Sequence, residues 1–270
     1  MTVSGDSKEV NAPETQSGDN PEKTPVATID GYLTKFNEDL IWRFERDLTF
    51  ADYTLVRDYD FGTSNLKLFS KPRSDTTLKE FLVQGIVDVS KENLLALLTN
   101  LKNRPLWDST YVEHEDITYI EETCTDVTFS VSKYPFPLTK RTYMVTRTLY
   151  NTENGTVALL SLATDKYKTD KKYRWSTHVD DFESLLILKD CKDDENQART
   201  SMVATYFENP KAMVPNAYVN LITGQVVPGI LAKMVIASQK LDHKESVGYC
   251  GKLKYSTLKF EDKGLEHDEL

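Results

Sequence analysis

The sequence of 270 residues lacks any apolar run as long as the roughly 18 residues that a membrane-spanning helix needs. Its first 22 residues are polar and acidic, without the apolar core of a secretory signal peptide. Only three cysteines occur, Cys124, Cys191 and Cys250, and neither their odd number nor their spacing suits a disulfide framework or a metal site. We therefore expect a cytoplasmic protein without a metal or other cofactor.

The last four residues, His267-Asp-Glu-Leu270, have the form of an ER-retention signal. Such a signal acts only on a protein inside the ER lumen, and the sequence shows no signal for entry. Two interpretations stay open: the ending is accidental, or it is an address whose entry route is not visible.

Positive charge is also in short supply. Lysine and arginine together number 33 against 42 acidic residues, which gives a formal net charge of -9. A chain of this sign is poorly suited to the phosphate backbone of nucleic acid and to strong attachment to anionic lipid. Nucleic acid is therefore not expected as a partner.

Recognisable catalytic patterns are missing as well. No Ser/His/Asp order, pair of carboxylates or metal-ligand spacing stands out, and His114, His178 and Cys191 fit surface or packing roles. A protein that is not an enzyme is therefore expected.

Composition divides the chain into three parts. Residues 1–27 are polar and acidic with almost no large apolar side chains, so they predict a disordered segment. Residues 28–242 predict one domain, which begins with an amphipathic helix up to Leu48. Residues 243–270 are charged and lack helical periodicity, and they predict a tail with one strand-like stretch, 249–258.

Alternating apolar and polar residues predict nine strands, and Ser90 predicts the N-cap of a short leucine-rich helix between the third and fourth of them. The strands are expected near 53–59, 65–70, 77–87, 111–122, 125–134, 141–151, 156–164, 173–188 and 199–207. This content predicts an α+β protein with a large, curved antiparallel sheet and helices towards the ends of the sequence.

The last predicted helix is apolar around most of its circumference. Pro228 suits its first turn, and Ile236 and Ala237 widen its apolar face. A helix that is apolar around most of its circumference is buried, so we expect this helix to lie on the concave side of the sheet.

The stretch 133–147 carries the most specific pattern. Pro135 and Pro137 each remove a hydrogen-bond donor and favour extended geometry before them, so they end one strand and present Phe136 at a hairpin-like crossing. In the strand that follows, Tyr143 is expected to share a face with Arg147.

Three blocks in the same order resemble the StAR-related lipid transfer (START) family, over roughly residues 30–242. They are Asn103-Arg-Pro-Leu-Trp-Asp108, Lys133-Tyr-Pro-Phe-Pro-Leu-Thr-Lys-Arg-Thr-Tyr143, and Tyr206-Phe-Glu-Asn-Pro210 with Met213-Val-Pro215 and the final helix. The resemblance implies a helix-grip fold, in which a curved antiparallel sheet wraps around a long C-terminal helix and one lipid occupies the tunnel between them.

The resemblance also implies a lipid headgroup site. Arg104 matches an arginine that contacts phosphate, and Asp108 an aspartate near the choline group. Tyr143 and Phe182 match two aromatic walls around choline, whereas Ser130, beside Phe129, stands where a tryptophan is expected. The competing interpretation of Arg104 is a structural pair with Asp108, although Pro105 argues against a helix that would hold both.

The function implied is binding and transfer of a glycerophospholipid, most specifically phosphatidylcholine, by a monomer that contacts membranes transiently. The alternatives are a carrier of phosphatidylethanolamine, a sterol or ceramide, a lipid-dependent regulator, and an enzyme on the same fold.

Because a lipid cannot thread through a closed sheet, the last helix is predicted to form a gate, at Val226, Val227, Ile230 and Met234. The alternative is a static core helix with a bend.

Overall fold

The computed structural model describes residues 33–260, except 48, 74–75, 77, 135, 137, 193–197 and 213–225. The predicted disordered segment, residues 1–27, and the last four residues lie outside the described part of the chain.

One sheet of eleven strands organises the described residues. The strands are β1 (Thr54–Phe61), β2 (Ser64–Pro72), β3 (Lys79–Val87), β4 (Tyr111–Ile120), β5 (Thr125–Ser132), β6 (Lys140–Thr152), β7 (Val157–Ala163), β8 (Ser176–Val179), β9 (Phe182–Lys192), β10 (Ala198–Glu208) and β11 (Ser256–Leu258). Their order in the sheet is β1-β2-β3-β10-β9-β7-β6-β5-β4, with antiparallel neighbours throughout, while β8 and β11 each pair with β6 in parallel. The prediction of an α+β protein with a large antiparallel sheet is confirmed.

Within the described ranges, four α-helices accompany the sheet: α1 (Lys35–Glu45), α2 (Lys91–Thr99), α3 (Val227–Lys240) and α4 (His243–Cys250). As predicted, Ser90 caps α2, because its side chain accepts a hydrogen bond from the backbone N–H of Asn93. Pro228 lies in the first turn of α3, where its missing N–H costs no hydrogen bond.

The two faces of the sheet bury different residues, because side chains alternate along each strand. On the face that we call inner, Leu149, Leu186 and Met202 belong to one apolar core with residues of α2 and α3. On the opposite, outer face, Tyr150 and Ile187 belong to a second core with residues of α1. Burial on both faces fixes the register, because a shift by one residue would exchange the two sets.

The last helix is buried less completely than predicted. Leu231, Met234 and Val235 face the inner core, but Ile236 is 50% exposed. The sheet and α2 cover one side of α3, so the described chain leaves the Ile236 side open.

Residues 243–258 differ from the expected tail. They form α4, which is capped by Asp242, and β11, whose three residues pair with the end of β6. Cys250, Leu253 and Tyr255 pack against the inner core. These apolar residues are not spaced with the period of a helix, so the sequence pattern did not predict α4.

Gly85 supplies a test of the sheet's packing. A Cβ atom at this position would collide with the carbonyl oxygen of Asn65 on β2, whereas one at Gly248 in α4 would meet nothing within 4 Å. We expect Gly85→Ala to lower the free energy of unfolding by about 1–3 kcal/mol through overpacking, and Gly248→Ala to raise it by up to about 1 kcal/mol through helix propensity. Urea unfolding followed by circular dichroism measures both, and equal stability of the two variants would contradict the packing described for β2 and β3.

Candidate functional site

Three tyrosine hydroxyls converge on one carboxylate at the inner face. The hydroxyl of Tyr143 donates to Oε1 of Glu208 at 3.1 Å, Tyr134 donates to the same oxygen, and Tyr206 donates to Oε2. Tyr206 and Glu208 lie two residues apart on β10, so they share the face on which Met202 reaches the inner core. Strands β6 and β10 thus bring distant parts of the sequence to one point.

Aromatic rings surround this carboxylate. The ring centroids of Tyr143 and Phe182 lie 5.9 Å apart at 69°, and those of Phe182 and Tyr206 lie 5.6 Å apart at 76°. Both pairs have the edge-to-face geometry that aromatic rings prefer. We call Tyr134, Tyr143, Phe182, Tyr206 and Glu208 the tyrosine–glutamate cluster. Its Tyr206 is 43% exposed, so the cluster can be reached from outside the protein core.

Burial raises the pKa of Tyr143 and of Tyr134 far above the usual value of a phenol, and the charge of Glu208 raises both further. Although 43% of the Tyr206 residue is exposed, its hydroxyl is desolvated within the cluster, and this desolvation and the charge of Glu208 raise its pKa too. All three phenols therefore keep their protons at neutral pH. They can act as hydrogen-bond donors to the carboxylate without adding charge to the cluster.

The sequence predicted only part of this arrangement. Tyr143 and Phe182 were expected in the site, and the structure brings them together. Tyr134, Tyr206 and Glu208 were not predicted as site residues. Alternation along β10 could have placed Tyr206 and Glu208 on one face, but only the strand order shows that this face meets Tyr143.

Arg141 adjoins the tyrosine–glutamate cluster at Tyr134. Its side chain is fully buried, donates from Nε to the carbonyl oxygen of Pro210 at 2.9 Å, and donates from Nη1 to the carbonyl oxygen of Thr139 at 2.7 Å. Its guanidinium carbon lies 4.8 Å from the ring centroid of Tyr134. Arg141 thereby ties the start of β6 to the chain that leaves β10.

Arg104 and Asp108 form the ion pair that the sequence predicted as one alternative. Arg104 Nε lies 2.9 Å from Asp108 Oδ2, and the other oxygen of Asp108 accepts hydrogen bonds from the N–H of Thr110 at 2.9 Å and its hydroxyl at 2.6 Å. Asp108 is only 5% exposed. Among the described residues, the terminal nitrogens of Arg104 have no hydrogen-bond partner, so they are available to a ligand.

Arg104 and Asp108 do not share a helix, which agrees with the expectation drawn from Pro105. A 3-10 helix, Leu101–Leu106, includes Pro105 and carries Arg104. Pro105 is the fifth of its six residues and, because it lacks a backbone N–H, donates no hydrogen bond within it, and Asp108 lies beyond its end.

Arg104 and the cluster lie along the same face of the sheet. The guanidinium carbon of Arg104 is 5.8 Å from the ring centroid of Tyr111 on β4, and Tyr111 pairs with Ser132 on β5. Ser130, two residues earlier on β5, pairs with Tyr143 on β6. Two strand spacings and an offset of two residues along the strands, together roughly 12 Å, therefore separate Tyr111 from Tyr143. Buried Ser130 is the small residue between them.

Phe129 is not brought to the cluster. It lies on the outer face with Met144, and its ring stacks on Tyr173 with centroids 5.7 Å apart. Alternation places it opposite Ser130, which faces inward.

The predicted gate residues lie at the start of α3. Val226 precedes the first residue of the helix and Val227 begins it, while Met234 is buried in the inner core and Ile230 is partly exposed. Gln225, the first residue of the predicted helix interruption, lies outside the described residues.

Two cavities among the described residues lie elsewhere. One of about 260 Å³ is lined by Lys91, Leu95, Cys250 and Tyr255, and a smaller one of about 60 Å³ includes Arg147 and Tyr249. The described part of the chain holds no group of three His, Cys, Asp or Glu side chains that could bind a metal ion. Of the helices in that part, none is both long enough and apolar enough to cross a bilayer.

Comparison with known proteins identifies the fold and the relatives. No family profile matches the chain. It is 25% identical over 184 residues to mouse "StAR-related lipid transfer protein 7, mitochondrial", which covers 67% of this chain and 48% of that protein. It is 26% identical over 200 residues to rat phosphatidylcholine transfer protein, which covers 73% of this chain and 88% of that protein. The chain thus spans about half the length of the first relative and most of the second.

Among solved structures, human StAR-related lipid transfer protein 5 superposes with a TM-score of 0.61 at 12% identity, covering 78% of this chain and 98% of that one. Human STARD10 superposes with a TM-score of 0.59 at 18% identity, covering 82% and 85%. The homologues of this chain are therefore StAR-related lipid transfer proteins, and its α+β fold is that of a START domain.

Proposed function

We propose that this protein binds one glycerophospholipid in a tunnel between the sheet and α3 and transfers it between membranes without changing it chemically. The preferred lipid is phosphatidylcholine. The observation that carries this proposal is the pairing, on one face of the sheet, of an aromatic cluster around a carboxylate with an arginine whose terminal nitrogens are available. The names of the lipid transfer relatives support the same function.

The cluster suits a quaternary ammonium group. Trimethylammonium has no hydrogen-bond donors, so aromatic faces are its natural partners, at about 0.5–2 kcal/mol each depending on desolvation. Three rings are available, those of Tyr143, Phe182 and Tyr206. The ring centroid of Phe182 lies 5.9 Å from that of Tyr143 and 5.6 Å from that of Tyr206. Glu208 adds a negative charge, which attracts the cationic choline group and repels an anionic headgroup.

Arg104 suits the phosphate. A guanidinium group offers a planar pair of donors to two phosphate oxygens, which lysine does not. Asp108 already accepts three hydrogen bonds and is almost fully buried. We therefore assign Asp108 to orienting Arg104, and Glu208 rather than Asp108 to the choline end.

The acyl chains explain why a carrier is needed. Removing two chains with about 30 methylenes from a bilayer costs on the order of 25 kcal/mol at about 0.8 kcal/mol per methylene. Spontaneous desorption is therefore very slow, and an apolar tunnel lowers this cost. The proposal places the protein in the cytoplasm as a monomer that contacts membranes transiently, and the three free cysteines are consistent with a reducing compartment.

The first test separates the two ends of the headgroup. Arg104→Leu should abolish phospholipid binding, because a phosphate without its cation in a dry tunnel costs several kcal/mol. Tyr143→Leu should instead shift preference from phosphatidylcholine towards phosphatidylethanolamine, whose primary ammonium can use oxygen partners. Native mass spectrometry of the purified protein, followed by competition between vesicle lipids, measures both. A sterol or ceramide occupant that is insensitive to Arg104→Leu would exclude the phospholipid.

The second test concerns the charge of Glu208. Glu208→Gln keeps the size of the side chain and removes its charge, so the preference for phosphatidylcholine over anionic phosphatidylglycerol should fall by about 1–2 kcal/mol, or roughly tenfold. Glu80→Gln is the matched control, because Glu80 accepts a tyrosine hydroxyl, that of Tyr53 in the outer core, away from the cluster. An unchanged lipid preference in Glu208→Gln would show that Glu208 only orders the tyrosines.

The third test concerns the gate. We assign Val226, Val227, Ile230 and Met234 to contact with lipid or membrane when α3 moves. A disulfide engineered between α3 and the inner face, at Cα atoms about 5.5–6 Å apart, should block lipid exchange between vesicles and leave bound lipid in place. The reduced form of the same variant is the control. Equal exchange rates with and without reductant would rule out movement of α3.

A further inference from the structure

Trp175 is held in an unusual conformation at the surface. Its φ is +62°, in the left-handed region that bulky residues rarely adopt, and its side chain is 75% exposed. A side chain that is 75% exposed contributes little packing among the described residues to compensate for this backbone strain. Strain of this kind, where it persists, is commonly associated with functional sites.

The loop that carries Trp175 is firmly attached to the sheet. Tyr173, two residues earlier, stacks on Phe129 and donates its hydroxyl to Glu113 on β4. Ser176, the next residue, donates its hydroxyl to the carbonyl oxygen of Tyr173 at 2.8 Å and begins β8. Trp175 is therefore projected from a fixed base, with the guanidinium carbon of Arg174 5.4 Å from its ring centroid.

A second exposed aromatic residue lies at the same end of the sheet. Ser176 pairs with Lys140, the first residue of β6, and the hydroxyls of Thr139 and Thr177 lie 3.2 Å apart. Phe136, in the connection that leads into β6, is 92% exposed. Two large aromatic side chains thus point outward where β6 and β8 begin.

Basic residues surround these rings, although the whole chain is acidic. The loop of residues 164–175 contains five basic and two acidic residues, a local charge of +3 within a chain of -9. Lys168 and Lys172 are exposed and form no ion pair within the described part of the chain, and exposed Lys133 and Lys140 flank Phe136 in the sequence. Tryptophan beside lysine and arginine is the combination that favours the interface between lipid headgroups and water.

From this combination we infer that Trp175 and Phe136, with the basic loop 164–175, form a docking surface for anionic membranes. The aromatic rings enter the headgroup region, and the lysines are attracted by the negative surface potential of acidic lipids. This surface shares no residue with the lipid headgroup site, although its use in lipid exchange rests on the proposed function.

The experiment uses the whole protein and sedimenting vesicles of phosphatidylcholine alone or with about 30% phosphatidylserine. Wild-type protein should bind the anionic vesicles more tightly, and salt should weaken that binding. Trp175→Ala, and the double variant Lys168→Gln/Lys172→Gln, should each lower partitioning to anionic vesicles by about tenfold or more. Val247→Ala and Lys252→Gln, at exposed positions in and just after α4, are the matched controls and should bind as wild type does.

Fluorescence supplies a direct readout. The emission of Trp175 should shift to the blue when anionic vesicles are added, and Trp175→Phe should remove the shift while Trp42 and Trp107 remain. Equal binding of neutral and anionic vesicles, unchanged binding by the Trp175 and lysine variants, or the absence of a blue shift in wild type would each overturn the inference. Co-purified lipid should persist in Trp175→Ala, and its absence from wild type would instead count against the proposed function.

Discussion

Burial of the sheet on both faces is the constraint on which the rest of the structure depends. Each strand must divide its side chains between the inner core with α2 and α3 and the outer core with α1. A shift of β6 by one residue would exchange inward Tyr143 for outward Met144 and place apolar Leu149 where Tyr150 lies. The apolar residues of the strands therefore fix the positions of the polar ones. The tyrosine–glutamate cluster is held by a register that it does not itself determine.

This dependence explains which features the sequence could predict. Alternation is local, so it predicted that Tyr143 and Arg147 share a face, and the structure agrees, because Arg147 reaches the carbonyl oxygen of Thr99 on α2 at 3.1 Å. Strand order depends on contacts between distant segments. Tyr143 and Glu208 are 65 residues apart, and their meeting requires β7, β9 and β10 to follow β6 in one sheet. A single sequence carries no direct signal for that order.

The last part of the chain shows a second limit of periodicity. The apolar residues of segment 243–258 do not form a stripe, yet Cys250, Leu253 and Tyr255 reach the inner core. β11 has three residues, too few to show alternation, and it forms because the end of β6 offers an unpaired edge. For α3 the sequence predicted too much burial rather than too little. Its apolar residues all round predicted a fully buried helix, but among the described residues only one side of it packs against the inner core.

Charge behaves in the same local way. Exposed charges farther apart than about 8–10 Å are largely screened at physiological ionic strength, so a membrane responds to the nearest residues rather than to a total of -9. The same total was a sound argument against a long polyanion such as nucleic acid, which needs many basic contacts over an extended surface. A bilayer needs only a few lysines beside an aromatic anchor, since each basic residue near an anionic surface contributes about 1 kcal/mol. An acidic chain can therefore be unsuited to nucleic acid and still dock on an anionic bilayer through one basic loop.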